Sequence, residues 1–206
     1  MTAIFAFSRH QTKRGGSCVL EKMIYERDEL HKMNLSNYKI NKMVEDGMLR
    51  KINRRYYENL TFDGDFNEFS YVSAYFDSGV ICLISAAAYY ELTSVRPLEI
   101  DMAIPRKTKA RNLPEWPSVR VYYFSEDRYH TGIMNIDENG HCFKIYNLEK
   151  TVIDIIYYRE KIGIEETKEI LINYLNRKDR NLNLLYDYAK KLKCEKILKT
   201  YLEVLL

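Results

Sequence analysis

The stretch at residues 36–57, SNYKINKMVEDGMLRKINRRYY, constrains most strongly what this chain can fold into. Ser36 is a good N-cap, because its hydroxyl can accept a hydrogen bond from a first-turn amide that has no helical partner. Ile40, Met43 and Val44 follow at the i, i+3, i+4 spacing of a buried helical stripe. Gly47 suits the left-handed position that ends a helix. We therefore predict an amphipathic helix that ends just before this glycine.

A short basic segment follows the glycine and predicts a β-hairpin. It has few helix signals, and Asn53 can take a positive φ at the hairpin tip. Upstream, residues 26–33 predict another short helix, Asn34 and Leu35 predict a tight break, and residues 23–25 predict a small strand that pairs with the hairpin. A helix, a turn, a second helix and a hairpin form the plan of a winged helix-turn-helix, whose second helix enters the DNA major groove.

The exposed side of the second helix carries groups that bind DNA. Asparagine can pair two-fold with adenine, lysine binds guanine or phosphate, and tyrosine contacts phosphate or the thymine methyl group. The candidate DNA-binding residues of the helix and hairpin are Asn37, Tyr38, Lys39, Asn41, Lys42, Lys51, Asn53, Arg54 and Arg55. The alternative is an ordinary surface helix followed by a solvated run of charges. The position of the basic hairpin, directly after the glycine, favours DNA binding.

The distribution of charge also favours a polyanionic partner for the first part of the chain. The formal net charge is +3 over 206 residues. Residues 1–60 hold twelve lysines and arginines against seven acids, whereas the remaining residues hold twenty against twenty-two. The positive excess thus lies with the predicted DNA-binding helix. Arg9, Lys13 and Arg14 could add an arm that reaches DNA, or they belong to a solvated terminus.

The cysteines and histidines predict neither a metal site nor a disulfide framework. The four cysteines are widely scattered without a CxxC pair, and the four histidines add no metal-ligand spacing. His141 and Cys142 are adjacent, which in a strand would place them on opposite faces. We therefore expect reduced thiols in a cytoplasmic protein, without a metal or cofactor. No apolar run approaches the roughly 18 residues of a membrane span, and residues 2–7 are too short for a signal peptide.

The rest of the chain predicts a mixed α/β domain with a small sheet, so the expected fold class is α+β. A turn-rich acidic stretch at residues 59–66 predicts a linker between domains at residues 1–58 and 67–206. Residues 98–104 alternate apolar and polar side chains, as in a half-buried strand. The other predicted elements are helices at residues 68–77 and 85–93 and strands at residues 119–124, 128–136 and 142–146.

A core helix is predicted directly after the last strand, at residues 148–157. It is apolar nearly all round, so it should be buried. Its polar edge carries Lys150 and Asp154, which lie four residues apart and can pair. Amphipathic helices at residues 165–175, 182–192 and 195–205 would cover the core.

Three stretches resemble the AbiEi-type antitoxins, the regulatory partners in type IV toxin–antitoxin systems. NLSNYKINKMVEDGMLRKINRRYYE resembles the winged N-terminal domain of that family, and VICLISAAAYYELTS and FKIYNLEKTVIDIIYYR resemble its C-terminal domain. The order and spacing of these stretches, rather than any one motif, carry the match. Arg55 is a departure, because the family usually has glycine there; the hairpin tip is therefore expected to be bulkier and more basic.

The resemblance implies a DNA-binding antitoxin that binds inverted repeats in double-stranded promoter DNA and represses its own operon. It also implies that the protein counteracts a nucleotidyltransferase-like toxin without forming a stable complex. A family pattern in the core helix is met by Lys150, Thr151 and Asp154, which could mark an antitoxin surface directed at the toxin or at a nucleotide. The alternative, which we favour, is a capped and ion-paired core helix.

Two other function classes stay open. One is a plain winged-helix transcriptional regulator whose C-terminal domain senses a ligand or oligomerises. The other, which we favour less, is a nuclease-like enzyme in which Asp101 supplies the first acid. The next predicted strand, residues 119–124, holds no acid, and neither a phosphate-cradling loop nor a nucleophile elbow occurs. The cations of the loop at residues 106–111 are either a second nucleic-acid contact or solvated.

Overall fold

A computed structural model describes residues 20–110, 113–138 and 140–205. The predicted N-terminal arm at Arg9, Lys13 and Arg14 lies outside these residues, as do Cys18 and Arg111. Within them the chain has an α+β fold with two sheets. None of the helices in this described part is long and apolar enough to cross a membrane.

The first sheet belongs to an N-terminal unit at residues 20–59. Its elements are β1 (Ile24–Glu26), α1 (Arg27–Lys32), α2 (Asn37–Glu45), β2 (Leu49–Lys51) and β3 (Tyr56–Asn59). Strand β3 lies in the middle and pairs antiparallel with both β1 and β2. The predicted small strand that pairs with the hairpin is therefore confirmed.

Local sequence signals set the ends of α1 and α2. Asn34 adopts φ 62° in the break between the helices, a conformation that asparagine tolerates better than most residues. The Ser36 hydroxyl accepts from the amide of Lys39 at 3.4 Å, as an N-cap should. Gly47 follows α2 with φ 71°, where a side chain would be strained. Ile40 is buried against Leu30, Leu49 and the other residues of a small apolar cluster.

A larger unit follows at residues 67–205. Its strands are β4 (Val80–Ile81), β5 (Ile100–Pro105), β6 (Val119–Phe124), β7 (Ile133–Glu138) and β8 (His141–Tyr146). Its helices are α3 (Glu68–Tyr75), α4 (Leu83–Tyr89), α5 (Glu126–His130), α6 (Leu148–Tyr157), α7 (Arg159–Ile162), α8 (Ile164–Asn176), α9 (Leu182–Lys191) and α10 (Glu195–Leu205).

The five strands form one mixed sheet in the order β6-β5-β4-β8-β7. Strands β5 and β6 are parallel, as are β4 and β8, whereas β4 is antiparallel to β5 and β7 is antiparallel to β8. The central strand β4 is only two residues long, with Val80 opposite Ala103 and Ile81 opposite both Met102 and Ile145. The two halves of the sheet are thus joined by a very short strand.

Apolar clusters cover both faces of this sheet. The larger cluster combines Ala103 and Phe124 of the strands with α6 and the last three helices. The smaller one places Val72 and Phe76 against Met102 and other strand residues. The predicted burial of α6 is confirmed, because its residues from Leu148 to Ile156 are all buried.

Two predictions in this unit are wrong. Strand β5 is not half-buried: Ile100 to Ile104 are all buried, because helices lie on both faces of this inner strand. The strand predicted at residues 128–136 begins only at Ile133, because Glu126–His130 forms α5. The sequence Ser-Glu-Asp at residues 125–127 is a helix-start signature, with acids in the first turn, that outweighs the weak strand pattern after it.

Candidate nucleic-acid interface

Helix α2 presents a polar face to solvent. Its apolar side is anchored by buried Ile40 and half-buried Met43 and Val44. On the other side the Tyr38 side chain is 76% exposed, which is unusual for so large an aromatic residue. Lys39, Asn41 and Lys42 are also exposed, and among the described residues none of their side chains has a hydrogen-bond or ion-pair partner. Asn37, at the start of the helix, accepts from the guanidinium of Arg27 at 2.9 Å.

The hairpin between β2 and β3 turns through Asn53, although not as predicted. Asn53 does not take a positive φ. Its Oδ1 instead accepts from the amides of Arg55, at 2.8 Å, and Tyr56, at 2.9 Å. This is an Asx-type turn, in which the asparagine side chain replaces a main-chain acceptor. The turn therefore needs neither glycine nor a left-handed residue at this position.

The hairpin also contacts the larger unit. The Nδ2 group of Asn53 donates to the Ala74 carbonyl of α3 at 2.6 Å. Arg55 pairs with Glu26 at 3.1 Å and with Asp77, just after α3, at 3.6 Å. Two of the predicted DNA-binding residues in the hairpin, Asn53 and Arg55, are thus already engaged with protein groups, as is Asn37 of α2. Arg50 is engaged as well, through Glu58 and the Tyr71 hydroxyl.

The remaining hairpin cations are free to meet a ligand. Lys51 and Arg54 are exposed, and neither has an ion-pair partner in the described part of the chain. They lie in the same unit as the open face of α2. The N-terminal unit therefore combines a free polar helix with a hairpin whose cations are partly free and partly paired.

The residues predicted as a toxin-directed or nucleotide-binding surface do not form one. Lys150, Thr151 and Asp154 of α6 are fully buried. Lys150 pairs with Asp154 one turn later, and the Thr151 hydroxyl donates to the Asn147 carbonyl at 2.9 Å. The surface hypothesis is wrong for these three residues, because strands and later helices enclose α6. The alternative of a capped, ion-paired core helix describes them.

A third charge in this buried cluster was missed from the sequence. Arg128 of α5 pairs with Asp154 and lies over the Tyr157 ring, with 3.7 Å between its guanidinium carbon and the ring centroid. Burial lowers the pKa of Lys150, while the neighbouring Asp154 opposes that shift. The Lys150 ammonium also lies 4.0 Å from the Tyr146 ring centroid. The pairing of Arg128 with Asp154 could have been predicted from the sequence only by recognising α5 as a helix that packs against α6.

Asp101, the residue considered as a nuclease acid, is 2% exposed in β5. Its Oδ2 accepts from the Ile84 amide at 3.1 Å, while its buried Oδ1 has no hydrogen-bond partner. Burial raises the pKa of this carboxyl to about 6, against the lowering effect of Arg120. Across residues 20–110, 113–138 and 140–205, no cluster of three or more histidine, cysteine or acidic side chains is arranged to hold a metal ion.

Two neighbouring cavities lie between the N-terminal unit and the larger unit. One, of about 340 Å³, is bounded by Lys22 and Glu29 on one side and Ser73 and Cys142 on the other. The second, of about 320 Å³, lies beside Arg55 and is bounded by residues of α3, β7 and β8. Each cavity is therefore lined by polar and charged groups from both units.

Comparisons with known proteins add little to this geometry. No protein-family model matches the chain, and no curated protein matches it either. Among solved structures the chain is similar to the crystal structure of the RV2827C protein from Mycobacterium tuberculosis. The two are 10% identical with a TM-score of 0.43, over 88% of this chain and 76% of that chain. A likeness at this level carries no argument about function.

Proposed function

We propose that the protein is a DNA-binding antitoxin whose N-terminal unit acts as a winged helix-turn-helix. The observation that carries the DNA-binding part is the open face of α2. Tyr38, Lys39, Asn41 and Lys42 project from a helix whose opposite side is held by buried Ile40. A rigid helix with an unpaired polar face can enter a major groove without first breaking protein contacts.

The hairpin after α2 supports the same proposal. Lys51 and Arg54 are exposed cations that would contact phosphates, which position a protein on DNA without reading its sequence. Arg55 would join them after releasing Glu26 and Asp77. Such exposed ion pairs contribute only about 0–1 kcal/mol, so phosphates can compete for this side chain.

The antitoxin part of the proposal is supported by the resemblance of the sequence to AbiEi-type proteins. Under this proposal the protein binds promoter inverted repeats, represses its own operon and opposes a nucleotidyltransferase-like toxin in the cytoplasm without a stable complex. The buried Lys150, Thr151 and Asp154 stabilise the larger unit and do not contact the toxin. The surface that opposes the toxin therefore lies on other residues of that unit.

A matched pair of variants tests the DNA-binding part. Tyr38→Ala with Lys42→Ala removes a tyrosine and a lysine one turn apart on α2. Tyr186→Ala with Lys190→Ala removes the same two residue types, also exposed and one turn apart, on α9. In gel-shift titrations with DNA from upstream of the gene, the first pair should abolish specific binding and the second should leave it unchanged. A folded Tyr38/Lys42 variant with full affinity for the operator overturns the assignment of α2.

The same variants separate repression from antitoxin activity. The full chain and the Tyr38/Lys42 variant are each expressed from an unrelated promoter together with the product of the neighbouring nucleotidyltransferase-like gene. Both should restore growth, because the toxin is opposed by the larger unit. Absence of such a gene, or failure of the full chain to restore growth, removes the antitoxin proposal and leaves DNA binding to stand on its own test.

The cavities between the two units favour one second candidate, a transcriptional regulator that senses a small ligand. A ligand bound beside Arg55, Asp77 and Lys144 would alter the contact between the hairpin and the larger unit. That candidate predicts operator affinity that changes with an added metabolite. It requires no neighbouring toxin gene.

A further inference from the structure

The two edges of the five-stranded sheet differ in how they are protected. Natural proteins shield edge strands with charges, proline, bulges or short length, since an open edge can pair with another strand. Edge strand β7 ends in the acids Asp137 and Glu138. Asn135 of the same strand lines the cavity between the larger unit and the N-terminal unit. Edge strand β6 reads VRVYYF and lacks proline, glycine, lysine and acids. Its one charged residue, Arg120, is paired with Glu99.

The register of β6 determines which of its main-chain groups point outward. The amide of Ile100 donates to the Ser118 carbonyl at 2.8 Å, and the amide of Arg106 donates to the Phe124 carbonyl at 2.9 Å. In a parallel pair the groups that face the neighbour alternate along the strand, so Arg120 and Tyr122 also face β5. The N–H and C=O groups of Val119, Val121 and Tyr123 therefore face the free edge. Within the described residues none of them has a main-chain partner.

The side chains along this edge are apolar and accessible. Val119 and Val121 are half-buried, and Tyr123 is 47% exposed. These three side chains lie on one face of the strand, because their spacing is two residues. The edge thus offers the outward N–H and C=O groups of three residues together with an apolar stripe, and Arg120, paired with Glu99, is its one charged residue.

We propose that β6 pairs antiparallel with β6 of a second copy of this chain, so that a two-fold dimer carries one continuous ten-stranded sheet. The two-fold axis would pass at Val121. Val121 would then lie opposite Val121 of the second copy, and Val119 opposite Tyr123. These are hydrogen-bonded pairs, each exchanging two bonds, so all the outward groups of the edge are satisfied.

The same register avoids repulsion between charges. Arg120 lies opposite Tyr122 of the second copy, so the two arginines do not face each other across the axis. A strand that matches its own sequence in this way suits an isologous interface, in which the same patch is used by both copies. The second copy is therefore the occupant that this edge fits. The inference does not depend on DNA binding, although a two-fold dimer would offer two α2 helices to an inverted repeat.

The oligomeric state of the full chain in the absence of DNA tests the proposal. Sedimentation equilibrium should give twice the monomer mass of 24.6 kDa at micromolar concentrations. Val121→Pro removes an outward N–H and places a ring at the axis, where only an edge strand tolerates it. It should raise the dimer dissociation constant at least about tenfold. Asn135→Pro on β7 is the matched change, because the register of β7 with β8 leaves the Asn135 N–H facing the opposite free edge, and it should leave dimerisation unchanged when the variant folds.

A cross-linking experiment covers the case in which Val121→Pro does not fold. In a background with Cys18 and Cys142 changed to serine, Val121→Cys should form a disulfide-linked dimer on mild oxidation. Opposed residues in such a pair have Cα atoms about 5.5 Å apart, within the range that a disulfide can span. Met134→Cys in the same background should stay monomeric on denaturing gels. A full chain that stays monomeric at every concentration, or a Val121→Cys variant that cross-links no better than Met134→Cys, overturns the proposal.

Discussion

The N-terminal unit and the larger unit use the same charged residue types in opposite ways. On α2 and the hairpin, Lys42 and Arg54 point into solvent and have no protein partner in the described part of the chain. In the larger unit Lys150 and Arg128 are buried, and both pair with the single carboxylate of Asp154. Charges that are free to meet a ligand cost the fold little, whereas charges taken out of water must be paired. The location of a cation thus decides whether it is available to a ligand or committed to the stability of the fold.

The largest effect should come from removing the shared partner in the buried set. Asp154→Ala leaves both Lys150 and Arg128 buried without a carboxylate, so it should lower the free energy of unfolding by about 3–5 kcal/mol. Lys150→Met should cost clearly less, because Arg128 still pairs with Asp154. Urea unfolding at neutral pH measures both. Equal losses for the two variants would mean that the cluster does not act through Asp154.

The exposed set should show the reverse behaviour. Arg54→Ala with Arg55→Ala should leave the unfolding free energy nearly unchanged, because exposed ion pairs contribute about 0–1 kcal/mol. It should weaken binding to operator and random DNA alike, by about tenfold, because phosphates carry no sequence information. The slope of log affinity against log salt should fall by about 0.9 for each phosphate that the variant no longer neutralises. An unchanged slope would show that the hairpin points away from DNA.

Asp101 offers a pH test of burial in the larger unit. Its folded pKa of about 6 lies above the ordinary value of 3.8, so between these values the folded protein binds a proton that the unfolded chain does not. Stability from this group therefore rises as the pH falls from 7 to 5, by about 1.4 kcal/mol. Asp101→Asn should remove that increment. Thermal melts of both proteins at pH 5 and 7 compare the two, and identical pH dependence would contradict the prediction.

The smallest effect concerns the contact that joins the two units. Asp77→Asn removes one of the two carboxylates that hold Arg55 and so releases this cation toward DNA. Affinity for DNA of any sequence should rise a few-fold at low salt, and the rise should shrink as salt is added. Asp179→Asn, which removes an exposed acid paired with Arg177 in the larger unit, is the matched control and should not change affinity. A lower affinity for Asp77→Asn would indicate that Asp77 positions the hairpin instead of withholding its arginine.

Local patterns predicted most of the elements but not their surroundings. The bounds of α2 depend only on residues close to it in sequence, so the sequence alone predicts them. These residues are the N-cap Ser36, the buried Ile40 and Gly47, where the helix has ended. The burial of Lys150 and the role of Arg128 depend on the packing of α5 against α6. This contact joins residues far apart in sequence, so local residue spacing does not predict it. The conformation of Asn53 was predicted wrongly for a related reason. Its side chain can satisfy a turn by hydrogen bonding as well as by a left-handed backbone, and propensity does not distinguish the two.

The side chain of Asn53 is also a mechanical link. One end of its amide shapes the turn of the hairpin, and the other end holds the last turn of α3. The chain then passes from α3 to β4, where two residues alone join the halves of the five-stranded sheet. The hairpin is therefore tied to α3 and the residues just after it by Asn53 together with Arg50 and Arg55, next to the point where the sheet is narrowest.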